Sequence, residues 1–271
     1  MKWFQEHGFR IPSRNRTRIS TTSGNQDSTK GSGRVARTFY LRNLTSTTTK
    51  PTTTTTRPEF DTYFSRADRK FPPLSDQGKI PTEGFLHACE AIGDFTELLG
   101  RAFGVIKSDV IENVDKVRVL YNEDKRRYHY VQDLANVDLE ANKWVLVKYT
   151  PSEGLLWLKR ALEFVLELLK LVVEEYHRHH GRNVPQNLIP ILEKAYEKSL
   201  ERHHGYFKRK LFSVLKHAAP YRQDVLRAIA LGRDDIEDVC VEHIKEYLVT
   251  FESNVEALKL YFNAVGLETL E

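Results

Sequence analysis

The chain has 271 residues, of which 40% are hydrophobic and 29% are charged, and its formal net charge is +4. This charge is unevenly divided. Residues 1–57 hold eleven Lys or Arg against two acidic residues, so the rest of the chain carries a net charge of −5. A mildly acidic body argues against nucleic acid as a partner, because such binding relies on neutralising phosphates.

Residues 1–60 are basic and rich in Ser, Thr and Arg, with a run of threonines between Thr45 and Thr56. Because these residues have little apolar surface to bury, burial cannot offset the entropy lost on ordering, and we expect a disordered tail. Residues 70–271 are long enough to bury a core of their own and are predicted to form one domain. Cys89 and Cys240 lie far apart within helical patterns, which indicates reduced thiols in a cytoplasmic protein.

Helical patterns follow one another from Pro81 onward and predict an all-α domain of about eight helices. Hairpin and alternating strand patterns are weak. In chain order the predicted helical segments run from a Thr82 cap to Leu99, from about Phe103 to Tyr121, from Tyr128 to Leu139, from Pro151 to near Gly181, from Leu188 to His204, from Phe207 to Ala218, from Pro220 to Gly232, from an Asp234/Asp235 cap through Leu248, and on to about Val265.

The segment GLLWLKRALEFVLELLKLVV, residues 154–173, is predicted to be the central helix of the domain. Its charges recur every three or four residues and mark one narrow, water-facing polar stripe, while the rest of the surface is apolar. Such a helix must be covered on more than one side, so we place it between two layers. Thr150, Pro151 and Glu153 supply an N-cap, a first-turn proline and a capping-box acid. The charges argue against a membrane span.

Three polar residues share one face of the second predicted helix. Asp109, Asn113 and Lys116 stand at positions i, i+4 and i+7, so an acceptor, an amide and a cation lie in a row. From spacing alone this row is most often a solvated stripe with an Asp to Lys pair. Beside an aromatic ring, however, the same row could bind a sugar, and Trp157 could supply that ring. Most Trp residues in such patterns simply pack in the core.

His204 falls on the apolar face of its predicted helix, whereas His203 points about 100° away. A histidine in that position is usually a hydrogen-bonded core residue, and the functional alternative is a polar anchor at the mouth of an apolar cavity. The run from Tyr176 to His180 has no carboxylate or thiolate at zinc-like spacing, so we predict no metal and no cofactor. The sequence shows no nucleophile elbow, phosphate loop or metalloprotease motif, and we expect no enzyme.

At these residues the sequence resembles the glycolipid transfer protein family. The motifs that carry the resemblance are Asp109-x-x-x-Asn113-x-x-Lys116, Leu156-Trp157-Leu158-Lys159-Arg160-Ala161-Leu162, Ala195-Tyr196-Glu197 leading to His204-Gly205, and Ala218-Ala219-Pro220-Tyr221. Their order and separations agree with the family over nearly all of residues 70–270. Only the tail before about residue 60 lies outside the resemblance.

The resemblance implies a two-layer all-α sandwich that encloses one sphingolipid in a tunnel and transfers it between membranes. It implies that Asp109, Asn113 and Lys116 hydrogen-bond the first sugar, that Trp157 stacks on it, and that His204 binds the ceramide amide. The ligand would be glucosyl-, galactosyl- or lactosylceramide, and the protein a cytoplasmic monomer that contacts membranes transiently. Candidate tunnel residues, inseparable by spacing from ordinary core, are Phe103, Phe164, Leu168, Phe207, Leu211 and Leu215.

Two departures from the family pattern are visible. Tyr206 stands where the animal glycolipid-binding members have a Trp that contacts the membrane, and the segment from Gly266 to Glu271 lacks their aromatic terminus. Two alternatives stay open. One is the ceramide-1-phosphate branch of the superfamily, against which Asn113 and Trp157 argue because phosphate recognition favours Lys or Arg. The other is a glycolipid sensor or adaptor that uses residues 1–57 to bind a partner or an anionic membrane.

Overall fold

The structure, a computed structural model, describes residues 60–205, 209, 212–214 and 216–268. Within these residues the regular structure is helical, and the only bridges are isolated ones that join Pro81 to Tyr130 and Asn187 to Tyr221. The predicted all-α fold is confirmed. The predicted tail, apart from Phe60, lies outside the described residues.

Seven α-helices can be delimited in this part of the chain. They are α1 (Thr82–Leu98), α2 (Gly104–Glu123), α3 (Val131–Ala141), α4 (Pro151–Arg178), α5 (Ile189–Ser199), α6 (Arg222–Ile229) and α7 (Glu237–Ala264). Short 3-10 helices occupy Ala67–Arg69, Arg101–Phe103, Glu201–His203 and Lys216–Ala218. The helix predicted from Phe207 to Ala218 falls partly outside the described residues.

Helix α4 is central, as its sequence predicts. It packs against α1, α2, α3, α5 and α7, so helices cover it on several sides. The start of α4 also follows the prediction: the Thr150 side chain accepts a hydrogen bond from the backbone N–H of Glu153 at 3.4 Å, and Pro151 is the first helical residue. The Glu153 carboxylate reaches back one residue further than a capping box requires and accepts from the N–H of Tyr149 at 2.6 Å.

The predicted water-facing stripe of α4 is wrong in its first half. The side chain of Lys159 is only 2% exposed, and that of Glu163 is 12% exposed. Further along, Lys170 lies at the surface and pairs with Glu252 of α7. The reason for the difference is that the segment after α7 folds back and places Glu268 over Lys159. A helical pattern cannot reveal cover from a segment more than 100 residues away.

Three predicted helix boundaries need correction. Thr82 is the first residue of α1 and not its cap, because its hydroxyl donates to the carbonyl of Tyr128 at 2.7 Å instead. The last two predicted helices form one helix, α7, because the sequence from Leu248 to Val265 contains no Gly or Pro and continues to bury residues such as Phe251 and Val255. The predicted Asp234/Asp235 cap is absent: Ile236 occupies the N-cap position of α7 without a side-chain cap hydrogen bond.

The predicted helix from Leu188 to His204 is shorter than expected. α5 ends at Ser199, the 3-10 helix Glu201–His203 follows, and His204 has an extended backbone with φ −99° and ψ 121°. His204 therefore lies in a loop after the helix, where its N–H bonds the carbonyl of Glu201 at 3.1 Å.

Candidate functional site

The polar row on α2 forms as predicted, and its members are bonded to one another. The side-chain amide of Asn113 donates to the backbone carbonyl of Asp109 at 2.9 Å, and its oxygen accepts from Lys116 Nζ at 3.0 Å. These two partners fix the orientation of the amide. One N–H and one lone pair of Asn113 are left over to meet a ligand. Asn113 is 4% exposed, whereas Asp109 lies at the surface.

Carboxylates compensate the charge of Lys116. Its ammonium lies 3.3 Å from Glu112 and 3.5 Å from Glu153, the latter at the first turn of α4. The same ammonium lies 5.7 Å from the centre of the Tyr149 ring, within the range of a cation–π contact. Lys116 is thus a bonded member of the polar row that joins α2 to α4.

Gly154 allows α4 to approach α2 closely at this row. A Cβ atom at this position would lie 2.9 Å from the backbone oxygen of Asn113 and 3.1 Å from the Cβ of Lys116. Only glycine fits so short a distance without a shift of one helix. Trp157 follows Gly154 by three residues, so the close approach brings the indole side of α4 near the polar row.

Trp157 lies between a cation and a histidine. The guanidinium carbon of Arg160 is 4.8 Å from the centre of the indole ring, and the His204 ring centre is 6.3 Å from it, with the two ring planes tilted by 32°. Trp157 is half-buried, so the indole is not an interior core residue. The role of Trp157 as a stacking surface stays a prediction.

Tyr196 of α5 holds His204 in place. The phenol oxygen lies 3.1 Å from Nδ1 of His204, and their ring centres are 5.5 Å apart. Burial raises the pKa of Tyr196 above its ordinary value, which keeps the phenol neutral at physiological pH. Pairing at Nδ1 restrains the orientation of the imidazole ring. The sequence contained Tyr196 in a family motif, but nothing in its spacing assigned it a role.

An aromatic path leads from His204 into the interior. Tyr196 is stacked on Phe212 with ring centres 3.7 Å apart and planes 7° apart, and Phe212 meets Phe164 edge-on at 6.3 Å. Phe164 is one helical turn from Leu168, and Leu168 lines an apolar pocket. The region around His204 is therefore connected to the pocket through aromatic and apolar side chains.

The pocket lies among α1, α4, α5 and α6. Its enclosed cavity measures only about 20 Å³, so the apolar walls would have to move apart to admit hydrocarbon chains. Of the predicted tunnel residues, Phe103 and Leu168 line it, and Phe164 lies one turn away in the aromatic path. Phe207, Leu211 and Leu215 lie outside the described residues, as does the membrane-contact candidate Tyr206. All residues that line the pocket are apolar: Phe95, Leu99, Phe103, Leu168, Leu169, Val172, Leu188, Leu192, Pro220, Val225 and Ile229.

Beside Trp157 lies a buried ionic cluster that the sequence did not predict. Glu268 accepts from Lys159 Nζ at 2.5 Å and from Arg160 Nε at 3.0 Å, and it lies 3.1 Å from Nε2 of His203. Lys159 also pairs with Glu163 at 3.0 Å. The only sequence signal for this cluster was the Lys-Arg pair after Trp157, which is also compatible with a solvated face.

The protonation states in this cluster follow from burial and charge. Burial, helped by the neighbouring Arg160, lowers the pKa of His203 from 6.5 to about 4, so the ring is neutral at physiological pH. Burial alone would raise the pKa of Glu268, but the hydrogen bond and charge of Lys159 and the charge of Arg160 outweigh it and lower that pKa. Burial raises the pKa of Glu163.

An apolar pocket inside a helical domain, joined to a polar and aromatic site, defines a protein that binds an amphipathic lipid. The chain belongs to the glycolipid transfer protein family, whose members are lipid transfer proteins: the family model described as glycolipid transfer protein matches residues 80–231. Among the described residues, no helix is long and apolar enough to cross a membrane.

Relatives agree with this assignment. The chain is 32% identical to the glycolipid transfer protein of Danio rerio over 193 residues, which cover 70% of this chain and 90% of that protein. It is 30% identical over 203 residues to the glycolipid transfer protein of Xenopus tropicalis, with 73% and 94% covered.

Solved structures share the fold. A structure that describes how FAPP2 selects simple glycosphingolipids using the GLTP fold is 28% identical, with a TM-score of 0.67, and the match covers 77% of this chain and 98% of that one. The mouse ceramide-1-phosphate transfer protein has a TM-score of 0.62 at 20% identity, with 73% and 94% covered. The two-layer helical sandwich is thus common to proteins named for different headgroups, so the headgroup must be argued from the site.

Proposed function

We propose that this protein transfers neutral glycosphingolipids between membranes. The single observation that carries the proposal is the charge balance of the headgroup site. The two cations nearest the polar row and Trp157 are ion-paired, Lys116 with Glu112 and Glu153 and Arg160 with Glu268, while Arg209 donates to the backbone carbonyl of His204 at 2.8 Å. A phosphate recognition site needs cations that can turn to the ligand, whereas a sugar needs hydrogen-bonding groups and a flat apolar surface.

The site contains the kinds of group that bind a sugar. Asp109 can accept from sugar hydroxyls, and the remaining N–H of Asn113 can donate to a sugar oxygen. Trp157 offers an indole surface, and Nε2 of His204 can bond the ceramide amide once Tyr196 has fixed the ring. The described FAPP2 structure, which concerns simple glycosphingolipids, and the glycolipid transfer proteins among the relatives support the same ligand class. The ligand would be glucosyl-, galactosyl- or lactosylceramide.

The pocket would lower the free-energy barrier to transfer. Burial of a methylene group is worth about 0.8 kcal/mol, so two hydrocarbon chains with roughly thirty methylenes would cost about 24 kcal/mol to expose to water. A protein that offers an apolar destination removes most of this barrier without any bond chemistry. The path from His204 through Tyr196, Phe212 and Phe164 is the route by which the chains would reach the pocket, with Phe212 displaced as they enter.

Contact with a membrane has a candidate surface beside the headgroup site. In the loop before α4, Trp144 is 48% exposed and Tyr149 is 79% exposed, with Val145 and Val147 between them also at the surface. Exposed Trp and Tyr side chains favour the interface between a bilayer and water. Tyr149 faces Lys116, so this loop would lie against the membrane next to the lipid headgroup. We propose a cytoplasmic monomer without a cofactor that contacts membranes transiently.

The test is transfer between vesicles by the purified full chain. Fluorescent glucosylceramide and fluorescent ceramide-1-phosphate with the same acyl chain are compared at equal protein concentration. We expect rapid movement of the glucosylceramide and little movement of the phosphate lipid. The reverse preference would refute the proposed headgroup, and movement of neither would favour the sensor or adaptor function.

A pair of substitutions on α2 tests the polar row. Asp109→Val should abolish glucosylceramide transfer while the circular dichroism and melting temperature stay unchanged. Asp115→Val, at another exposed position of the same helix, is the matched control and should transfer normally. Normal transfer by Asp109→Val would rule out Asp109 as a sugar ligand.

A further inference from the structure

Glu268 is held against the headgroup site by a well-defined helix end. After α7, Gly266 adopts a left-handed conformation with φ +72°, its N–H bonds the carbonyl of Asn263 at 3.0 Å, and the N–H of Leu267 bonds the carbonyl of Phe262 at 3.0 Å. These two bonds form a Schellman motif, which turns the chain back on its own helix. Leu267 then packs against the core, and the Glu268 side chain is left only 6% exposed.

The carboxylate of Glu268 balances the buried charges of the cluster, while Arg202, whose Nε donates to Nε2 of His203 at 3.1 Å, lies exposed at its edge. Lys159 and Arg160 contribute two positive charges, and Glu163 and Glu268 contribute two negative ones. His203, whose pKa is held at about 4, adds no charge at physiological pH. Without Glu268 the cluster would carry one uncompensated positive charge in a buried position, where it would attract an anion strongly.

This cluster adjoins the surface on which the first sugar would stack. Arg160 bonds Glu268 through Nε and lies over the indole of Trp157, so one side chain links the carboxylate to the ligand surface. A guanidinium is an effective phosphate ligand because its planar donors match the oxygens. In the present arrangement the Glu268 carboxylate accepts from Nε of this guanidinium and balances its charge.

We propose that Glu268 determines headgroup specificity: it occupies and neutralises a latent anion site formed by Lys159 and Arg160, and so excludes sphingolipids that carry a phosphate in place of the first sugar. This inference rests on the proposed function and assigns a residue to its selectivity. A phosphate at Trp157 meets the Glu268 carboxylate and a guanidinium whose charge that carboxylate already balances, whereas a neutral sugar is unaffected by the balance.

Glu268→Gln tests the proposal. The variant should transfer ceramide-1-phosphate about tenfold faster than the wild type or more, because a charged donor becomes available to the phosphate. Its glucosylceramide transfer should stay within about a factor of two, which is less than the loss of one hydrogen bond would cause. Glu252→Gln is the matched control. It removes another carboxylate, which links α7 to α4 at the surface by pairing with Lys170. The control should leave both rates unchanged.

Two further variants keep the test decisive if Glu268→Gln is poorly folded. Gly266→Ala retains every charge but strains the left-handed turn, and its added Cβ meets nothing within 4 Å. It should loosen Glu268 and raise ceramide-1-phosphate transfer in the same direction by a smaller factor. The double variant Arg160→Gln with Glu268→Gln removes one charge of each sign and should regain the exclusion of phosphate.

The outcomes separate the two proposals. Wild-type protein that fails to move glucosylceramide refutes the proposed function. Wild-type protein that moves it, together with folded Glu268→Gln and Gly266→Ala variants that still exclude ceramide-1-phosphate, refutes the role of Glu268 alone. A rise in ceramide-1-phosphate transfer that appears equally in Glu252→Gln would also refute it, because the effect would then come from loosening of α7.

Discussion

Replacing Tyr196 by phenylalanine removes one oxygen atom and tests how His204 is positioned. The phenol bonds Nδ1 of the histidine at 3.1 Å, while the ring itself is stacked on Phe212 at 3.7 Å. Phenylalanine keeps the stack and the filled volume, so the substitution acts on the histidine and not on the packing. His204 lies in a loop after α5, and this hydrogen bond ties its ring to that helix.

The expected size of the effect follows from the bond that is lost. A neutral hydrogen bond contributes about 0.5–1.5 kcal/mol net, which corresponds to a factor of about 2 to 12 in an equilibrium constant. We therefore expect Tyr196→Phe to slow glucosylceramide transfer by about that factor. Without the phenol, the imidazole can rotate or change tautomer, and Nε2 no longer has a fixed role towards the ceramide amide.

The assay is vesicle-to-vesicle transfer, and Tyr261→Phe is the control. Tyr261 of α7 donates to the side-chain oxygen of Asn136 at 2.8 Å, a comparable side-chain hydrogen bond far along the chain from His204. The control should lose a similar amount of stability, measured by urea unfolding, and keep its transfer rate. Equal transfer rates for Tyr196→Phe and wild type, or equal losses in both variants, would refute the positioning role.

Three further predictions concern the same region. Trp157→Ala should reduce the preference for glucosylceramide over bare ceramide by a factor of about 2 to 12, since stacking is worth about 0.5–1.5 kcal/mol; an unchanged preference would exclude stacking. Gly154→Ala should destabilise the fold by about 1–3 kcal/mol and slow transfer, because its Cβ would lie 2.9 Å from the Asn113 oxygen; Gly104→Ala, with nothing within 4 Å, should do neither. His203→Gln should lose less stability than wild type as the pH falls from 6.5 towards 4 in urea titrations; parallel profiles would contradict the buried neutral ring.

The sign of the His203 prediction follows from proton binding. The folded-state pKa of about 4 is below the ordinary histidine value of 6.5, so between these values the unfolded chain binds a proton that the folded chain does not. The free energy of unfolding therefore falls as the pH decreases through this window, and this contribution is fully present only above pH 6.5. The glutamine variant lacks the titrating group and with it this part of the pH dependence.

Local patterns predicted the parts of the fold that depend on local physics. The cap at Thr150, the course of α4 and the shared face of Asp109, Asn113 and Lys116 all follow from helical periodicity and from the geometry of the first turn. The same logic failed where distant residues decide. Helical periodicity predicts that Lys159 faces water. It cannot show that the partner of this residue is Glu268, which stands 109 positions further along the chain.

The site was only partly visible in the sequence for a similar reason. Trp157 and His204 were singled out, but each had a common structural alternative, and spacing could not decide between them. Their proximity at 6.3 Å, and the bond from Tyr196 to His204, arise from the packing of α4 against α5 and from a loop conformation. A helix that continued through His204 would place this residue beside other side chains, but α5 ends at Ser199.

Headgroup choice must come from small energies at this site, because the large energy of transfer does not depend on the headgroup. The two chains of a ceramide bury the same methylenes whether a sugar or a phosphate is attached, so the roughly 24 kcal/mol of chain burial is common to both lipids. Selectivity is a difference between affinities, and a difference of about 1.4 kcal/mol already gives a factor of ten. One carboxylate that pairs with Arg160 beside Trp157 is enough to supply it. For this reason the charge balance around α4, more than the shape of the pocket, should decide which sphingolipid this protein carries.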